Sequence, residues 1–115
     1  MAAAAEAVGQ MTGRSGGRRW PYGRVEIVGR SMEPALQAGD WWIVRWTARV
    51  AVGDIVVAQR PDRRGLLVVK RVAEHRPAGW WLVGDNTAYS DDSNVFGAVS
   101  HDGVLGVLRW RYRRG

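Results

Sequence analysis

The sequence contains no cysteine, which excludes a disulfide framework, a thiolate metal site and a cysteine nucleophile together. It contains one lysine, Lys70, although lysine and arginine together number 17, so the cationic surface is almost wholly arginine. No apolar run approaches the ~20 residues of a membrane-spanning helix. The stretch "AAAAEAV" at residues 2–8 is short, is broken by Glu6 and lacks a preceding basic segment, which makes it a poor secretory signal. The chain therefore reads as soluble. Acidic residues are few, 11 in all, leaving a net charge of +6. Such a balance fits a solvated arginine-rich surface; nucleic acid or an acidic partner is the other reading.

What remains is enough for one packed domain: 115 residues, 46% of them hydrophobic. Residues 1–19 are small, Gly-rich and without sustained periodicity, and are expected to form a flexible N-terminal tail. Over residues 20–115, short runs rich in Val, Ile and Trp alternate with Gly, Pro and Asp signals: "RVEIVG", "DWWIVRW", "DIVVAQ", "GLLVVKRV", "GWWLVG" and "GVLGVLRWRY". Each has strand length, and only "PALQAG" looks helical, with Pro34 in its first turn and Gly39 closing it. The expectation is a mainly β domain of about six strands, closed or nearly closed to hide its edges.

Ser31 lies in "VGRSMEPALQAGD", between an apolar strand and a proline-led turn. A serine hydroxyl is a nucleophile only when a neighbour takes its proton. His75 in "AEHRPAG" and His101 in "SHDGV" are in polar, turn-like settings, and nothing in the sequence orients either ring. Lysine is the other base, and it must shed its charge to act, which apolar walls favour. Strand alternation puts Lys70 on one face with Leu66, Val68 and Val72, and Arg71 on the other. An edge-strand lysine reaching solvent has the same local pattern.

Four segments in order resemble the signal-peptidase family of Ser-Lys serine proteases: "GRSMEPALQAGD", "VGDIVVAQRP", "VVKRV" and "GDNTAYSDDSNVFGAV". The resemblance implies a compact signal-peptidase/LexA-like β-fold with one short helical turn after the nucleophile. It implies Ser31 as nucleophile and Lys70 as general base, with Ser90 orienting the lysine amine and the Ser31 N–H donating to the oxyanion. Met32, Asp92 and Ser93 match supporting positions. Gly29 stands where some relatives carry a second oxyanion serine, and Asn94 where many carry an arginine paired with the aspartate. The length and the "LRWRYRR" close resemble the nickel-type superoxide dismutase maturation proteases, cytoplasmic relatives within the signal peptidase I-like (S26) family. That likeness implies removal of a leader from the dismutase precursor, with the metal belonging to the substrate. No cofactor is implied, and no metal-ligand spacing is present: Asp91 and Asp92 have no histidine at a suitable distance along the chain.

Three other readings follow from particular features. A signal peptidase proper would make peripheral membrane contact, and the doublets Trp41-Trp42 and Trp80-Trp81, each expected to bury one ring and expose the other, would suit that surface. A self-cleaving repressor-type protease shares the dyad but is expected to follow a DNA-binding domain. The "RWRYRR" close interleaves aromatics with arginine, as nucleic-acid stacking surfaces do. As a final strand it instead places Trp110 and Tyr112 on one face and Arg109, Arg111 and Arg113 on the other, and no nucleic acid is expected.

Overall fold

The computed structural model describes residues 7–10, 14–15, 18–19, 21–63, 65–89 and 91–114. Its strands are β1 (Ala7–Gln10), β2 (Arg14–Ser15), β3 (Arg18–Arg19), β4 (Tyr22–Ile27), β5 (Trp41–Trp46), β6 (Ile55–Gln59), β7 (Leu67–Arg76), β8 (Gly79–Val83) and β9 (Val104–Arg113). The six Val-, Ile- and Trp-rich runs are β4 to β9, so the mainly β architecture expected from their patterning is the one observed. A four-residue helix α1 (Ser93–Phe96) and 3-10 turns at Thr87–Tyr89 and His101–Gly103 complete the elements. Among the described residues no helix is long and apolar enough to cross a membrane.

Seven strands form one sheet in the order β1-β4-β5-β9-β6-β7-β8, with β2 and β3 as a separate small ladder. Every pairing is antiparallel. The last strand, β9, is inserted between β5 and β6, so the chain's end lies at the middle of the sheet. At one edge β1 pairs with β4 and also lies close to β7, which curls the sheet toward closure. Eight residues of the stretch expected as a tail thus carry strand pairing, four in β1 and four in the β2–β3 ladder.

Two turns of one construction launch β5 and β6. In Gln37–Asp40 and Ala51–Asp54 the first residue's N–H donates to the aspartate Oδ2, at 3.1 and 2.9 Å, while the aspartate N–H donates back to its carbonyl. Each turn needs a residue with φ near +90° before the aspartate, and Gly39 and Gly53 supply it at 92° and 97°. The first turn also closes the whole 28–40 loop, because Ile27 N–H donates to the Asp40 carbonyl and Gly39 N–H to the Ile27 carbonyl, each at 2.8 Å. The expected helical turn after Ser31 is a single one, closed by Leu36 N–H to the Met32 carbonyl at 2.9 Å. Pro34 enters it through a cis peptide bond.

Strand alternation separates two apolar clusters. One holds Val25, Ile27, Met32, Leu36, Val44, Val57, Val69 and Leu108. The other holds Val56, Ala58, Val68, Val72, Leu82, Val99 and Val107. Neighbours Val56 and Val57, and Val68 and Val69, fall in different clusters, so β6 and β7 are buried on both faces.

The tryptophan doublets depart from expectation, since all four rings are half-buried. Trp42 and Trp80 pack on the core, while Trp41 and Trp81 lie under the guanidinium groups of Arg24 and Arg76, 5.4 and 3.7 Å from the ring centroids. Arginine stems cover the outward rings that alternation alone would leave bare. On β9, Trp110 packs against Tyr22 and Tyr112 against Trp41, whereas Arg111 turns to Asp40.

Candidate active site

Lys70 has no exposed surface and is the largest of the fully buried side chains. It stands in β7 opposite Val56 of β6, between Val68 and Val72, both 1% exposed. Its face is therefore the aliphatic one that alternation assigns, and it does not reach solvent. Arg71, the next residue, turns the other way. Its Nε and Nη2 donate to the two Asp85 carboxylate oxygens at 2.9 and 2.8 Å, and its Nη1 donates to the Gly53 carbonyl at 2.9 Å. This two-point pairing raises the Arg71 pKa further above its ordinary value.

Ser31 is 4% exposed and begins the turn that follows β4. The loop reaches it through Gly29, whose φ of 95° belongs to glycine. A β-carbon there would meet open space, so backbone conformation, not crowding, sets the residue. Met32 directs the turn inward at 2% exposure.

The segment "GDN", residues 84–86, clamps that turn. Asn86 donates its N–H to the Ser31 carbonyl at 2.7 Å and its Nδ2 to the Arg30 carbonyl at 3.1 Å. Asp85 N–H contacts the Met32 sulfur at 3.4 Å. Arg30 adds an ion pair to Glu33 at 3.3 Å and lies over the Tyr89 ring at 4.4 Å. Asp85 thus touches Arg71 and Met32, the immediate chain neighbours of Lys70 and Ser31. The pairing Arg71↔Val83, continued by one residue, also sets Lys70 level with Gly84. The 84–86 loop thus links the turn that carries Ser31 to the strand that carries Lys70.

The same loop is braced from behind. Trp80 N–H donates to Val99 O (2.7 Å), Leu82 N–H to Ser93 Oγ (2.8 Å) and Gly84 N–H to Asp92 Oδ2 (3.2 Å). These are alternate amides along the outer edge of β8 and the residue after it, the last position in the sheet order. Asp92 also caps α1 by accepting from the Asn94 N–H at 3.0 Å, and Asn94 Nδ2 donates to it at 3.1 Å. Asn94 therefore braces Asp92 as a neutral donor. A cation is present nearby: Arg60, 7% exposed, pairs with Asp62 at 2.8 Å and with Asp91 at 3.5 Å, and lies over Phe96. Ser90 lies outside the described residues.

The histidines are elsewhere. His75 is five residues from Lys70 along β7, roughly 15 Å at strand rise, and its Nε2 meets Nε2 of His101 at 3.3 Å. Cavities of about 440 and 310 Å³ beside Trp80 and beside Arg60 have neither Ser31 nor Lys70 in their walls.

Sequence reasoning missed the parts played by Asp85, Asn86 and Arg71. Their signal was the polar "GDN" directly after an apolar strand, which reads equally as a turn.

No curated protein matches the chain. A family model described as Peptidase S24-like matches residues 19–99, a range that spans Ser31, Lys70, the clamp and the β8 brace. With that match over most of its length, and a fold of the LexA/signal-peptidase kind, the chain belongs to the Peptidase S24-like family and is a peptidase of the serine type.

Proposed function

We propose that the chain is an endopeptidase in which Ser31 and Lys70 act as a dyad to remove a short leader from the N-terminus of a protein precursor. The observation that supports this most is the sole lysine, wholly buried in a strand whose next residue is tied to the loop holding Ser31.

The reaction needs one proton carrier. Ser31 Oγ attacks the scissile carbonyl as its proton passes to the neutral Lys70 amine, and the Ser31 N–H donates to the oxyanion. The protonated amine then gives that proton to the departing amino group, leaving an acyl-serine. Water, losing a proton to the same amine, releases the new carboxyl end and restores Ser31. Gly29 and the Asn86 clamp hold the Ser31 backbone while this happens, which is where a small displacement costs rate.

The substrate follows from resemblance to the nickel superoxide dismutase maturation proteases: the leader of that dismutase precursor. The test is intact mass spectrometry of the purified precursor incubated with the full chain without lipid, beside Ser31→Ala. One leader-sized loss that depends on Ser31 supports both chemistry and substrate. Cleavage only of secretory precursors on vesicles moves the substrate to the export route. Unchanged cleavage by Ser31→Ala overturns the dyad.

A second reading rests on β1. Ala7–Gln10 occupies the outer edge of β4 beside β7, where a substrate entering as a strand would pair. In this reading the chain's own N-terminal segment is the substrate. It predicts a Ser31-dependent loss from the protein's own mass, at a rate independent of protein concentration.

A further inference from the structure

We propose that His75 and His101 form a two-histidine site for a divalent transition-metal cation, with Zn²⁺ the best fit. The residues are 26 apart in sequence, so no ligand spacing reveals them, yet their Nε2 atoms are 3.3 Å apart. Their ring planes differ by 9°, with centroids 5.3 Å apart. The centroids exceed the nitrogens in separation by nearly two ring radii, so the rings meet nitrogen to nitrogen and not face to face. A tetrahedral ion with Zn–N bonds of about 2.0–2.1 Å sets two ligand nitrogens about 3.3–3.4 Å apart. Adjacent ligands of a square-planar ion at that bond length stand closer, at about 2.9 Å. The observed spacing of 3.3 Å matches the tetrahedral value more closely than the square-planar one.

The backbone fixes this spacing before any ion arrives. His75 pairs with Trp80 across the β7–β8 hairpin. On its other side Trp80 exchanges two bonds with Val99, at 2.7 and 2.9 Å, and His101 follows Val99 by two residues. Gly79 permits this, because a β-carbon there would collide with the Val99 carbonyl. The Trp80 ring then supports both imidazoles, at 4.6 Å from His75 and 5.5 Å from His101. Such a supported pair loses little freedom on binding.

Both histidines are exposed, so an ion and its waters have access. Binding takes each imidazole as its Nδ1–H tautomer, so that both Nε2 lone pairs face the ion. Asp102, next to His101, adds negative charge nearby, while Arg49 in the adjoining cavity wall opposes it. Glu74 and Arg76 flank His75 in β7 and pair with each other at 2.7 Å. Among the described residues no cluster of three or more potential ligands forms, so water completes the coordination.

The test is calorimetric titration of the untagged full chain with ZnCl₂, beside His75→Ala, His101→Ala and Ser31→Ala. One saturable equivalent per chain is expected, weakened tenfold or more by either histidine substitution and unchanged in Ser31→Ala, which separates this site from the peptidase reading. Circular dichroism of the variants verifies their fold; both side chains are at the surface. Absence of saturable binding, or binding that survives in either histidine variant, overturns the site.

Discussion

Replacing Lys70 by methionine tests the dyad more cleanly than replacing it by alanine. Lys70 has no exposed surface and its stem lies between two valines that are themselves buried. Truncation to alanine deletes most of that stem and leaves a cavity, which costs about 2–5 kcal/mol in comparable cores. For a domain near this size, 1 kcal/mol moves Tm by roughly 4–8 °C. Lys70→Ala should therefore lose at least about 10 °C, and any loss of cleavage would be confounded with unfolding. Methionine keeps the length and most of the volume, and a volume-conserving exchange costs typically under about 1.5 kcal/mol. Lys70→Met should hold its fold within about 10 °C of wild type while losing its base, a change worth about 10²–10⁴ in rate. The assays are a thermal melt by circular dichroism and single-turnover cleavage on the same preparation. If Lys70→Met is folded and cleaves within about tenfold of wild type, then Lys70 is not the base. If it is much less stable than Lys70→Ala, the packing argument fails instead.

Other outcomes follow from the brace and the clamp. Ser93→Ala leaves the Leu82 N–H without its acceptor in a buried setting, at a cost of about 1–3 kcal/mol in urea denaturation. Gly79→Ala drives a β-carbon toward the Val99 carbonyl at a φ of 140°, and should cost on the order of 3 kcal/mol by the same assay. Asp85→Asn breaks the two-point pairing with Arg71, which is 35% exposed; solvent screening keeps the stability loss near about 1 kcal/mol, whereas kcat for cleavage should fall about tenfold or more through misplacement of the turn. The Arg60 guanidinium holds the Asp62 carboxyl below its ordinary value of 3.8. A lowered pKa in the folded state contributes stability above the ordinary value and loses it as pH falls through the folded one. Melts taken at falling pH should therefore decline more steeply for wild type than for Asp62→Asn.

The six main strands were legible because each is a short Val-, Ile- or Trp-rich run between Gly-Asp or Pro signals, and burial on both faces of β6 and β7 leaves little room for another reading. The face on which Lys70 lies was legible as part of an aliphatic period of two, but its burial was not, because an edge-strand lysine reaching solvent has the same local pattern. What the sequence could not show depends on partners distant along the chain. The β1 pairing was hidden because a small, Gly-rich segment has no period and is defined only by the β4 edge it meets. The outward rings of the tryptophan doublets depend on Arg24 and Arg76, one in another strand and one across a hairpin. Asp85 and Asn86 read as turn residues, and only the fold reveals that the turn they make is against Ser31. His75 and His101 each looked solitary because the Val99–Trp80 bridge that unites them has no local signature.

A common physical task explains most of the polar residues in the family-like segments. Asp40 and Asp54 satisfy the amides of Gln37 and Ala51, Ser93 and Asp92 those of Leu82 and Gly84, and Asn86 supplies an amide to the Ser31 carbonyl. None of these contacts is itself acid-base chemistry. Each buried amide left unpaired would cost about 1–3 kcal/mol, against a total stability of about 5–15 kcal/mol for a domain of this kind. More locally, an open β8 edge would release the 84–86 loop, and with it the Asn86 N–H bond to the Ser31 carbonyl. A nucleophile on a turn has no strand or helix to fix it, so it borrows rigidity from a sheet edge sealed by side chains. Two residues suffice for the chemistry proposed here; the remaining motif positions satisfy backbone groups along the β8 edge and in the turn that carries Ser31.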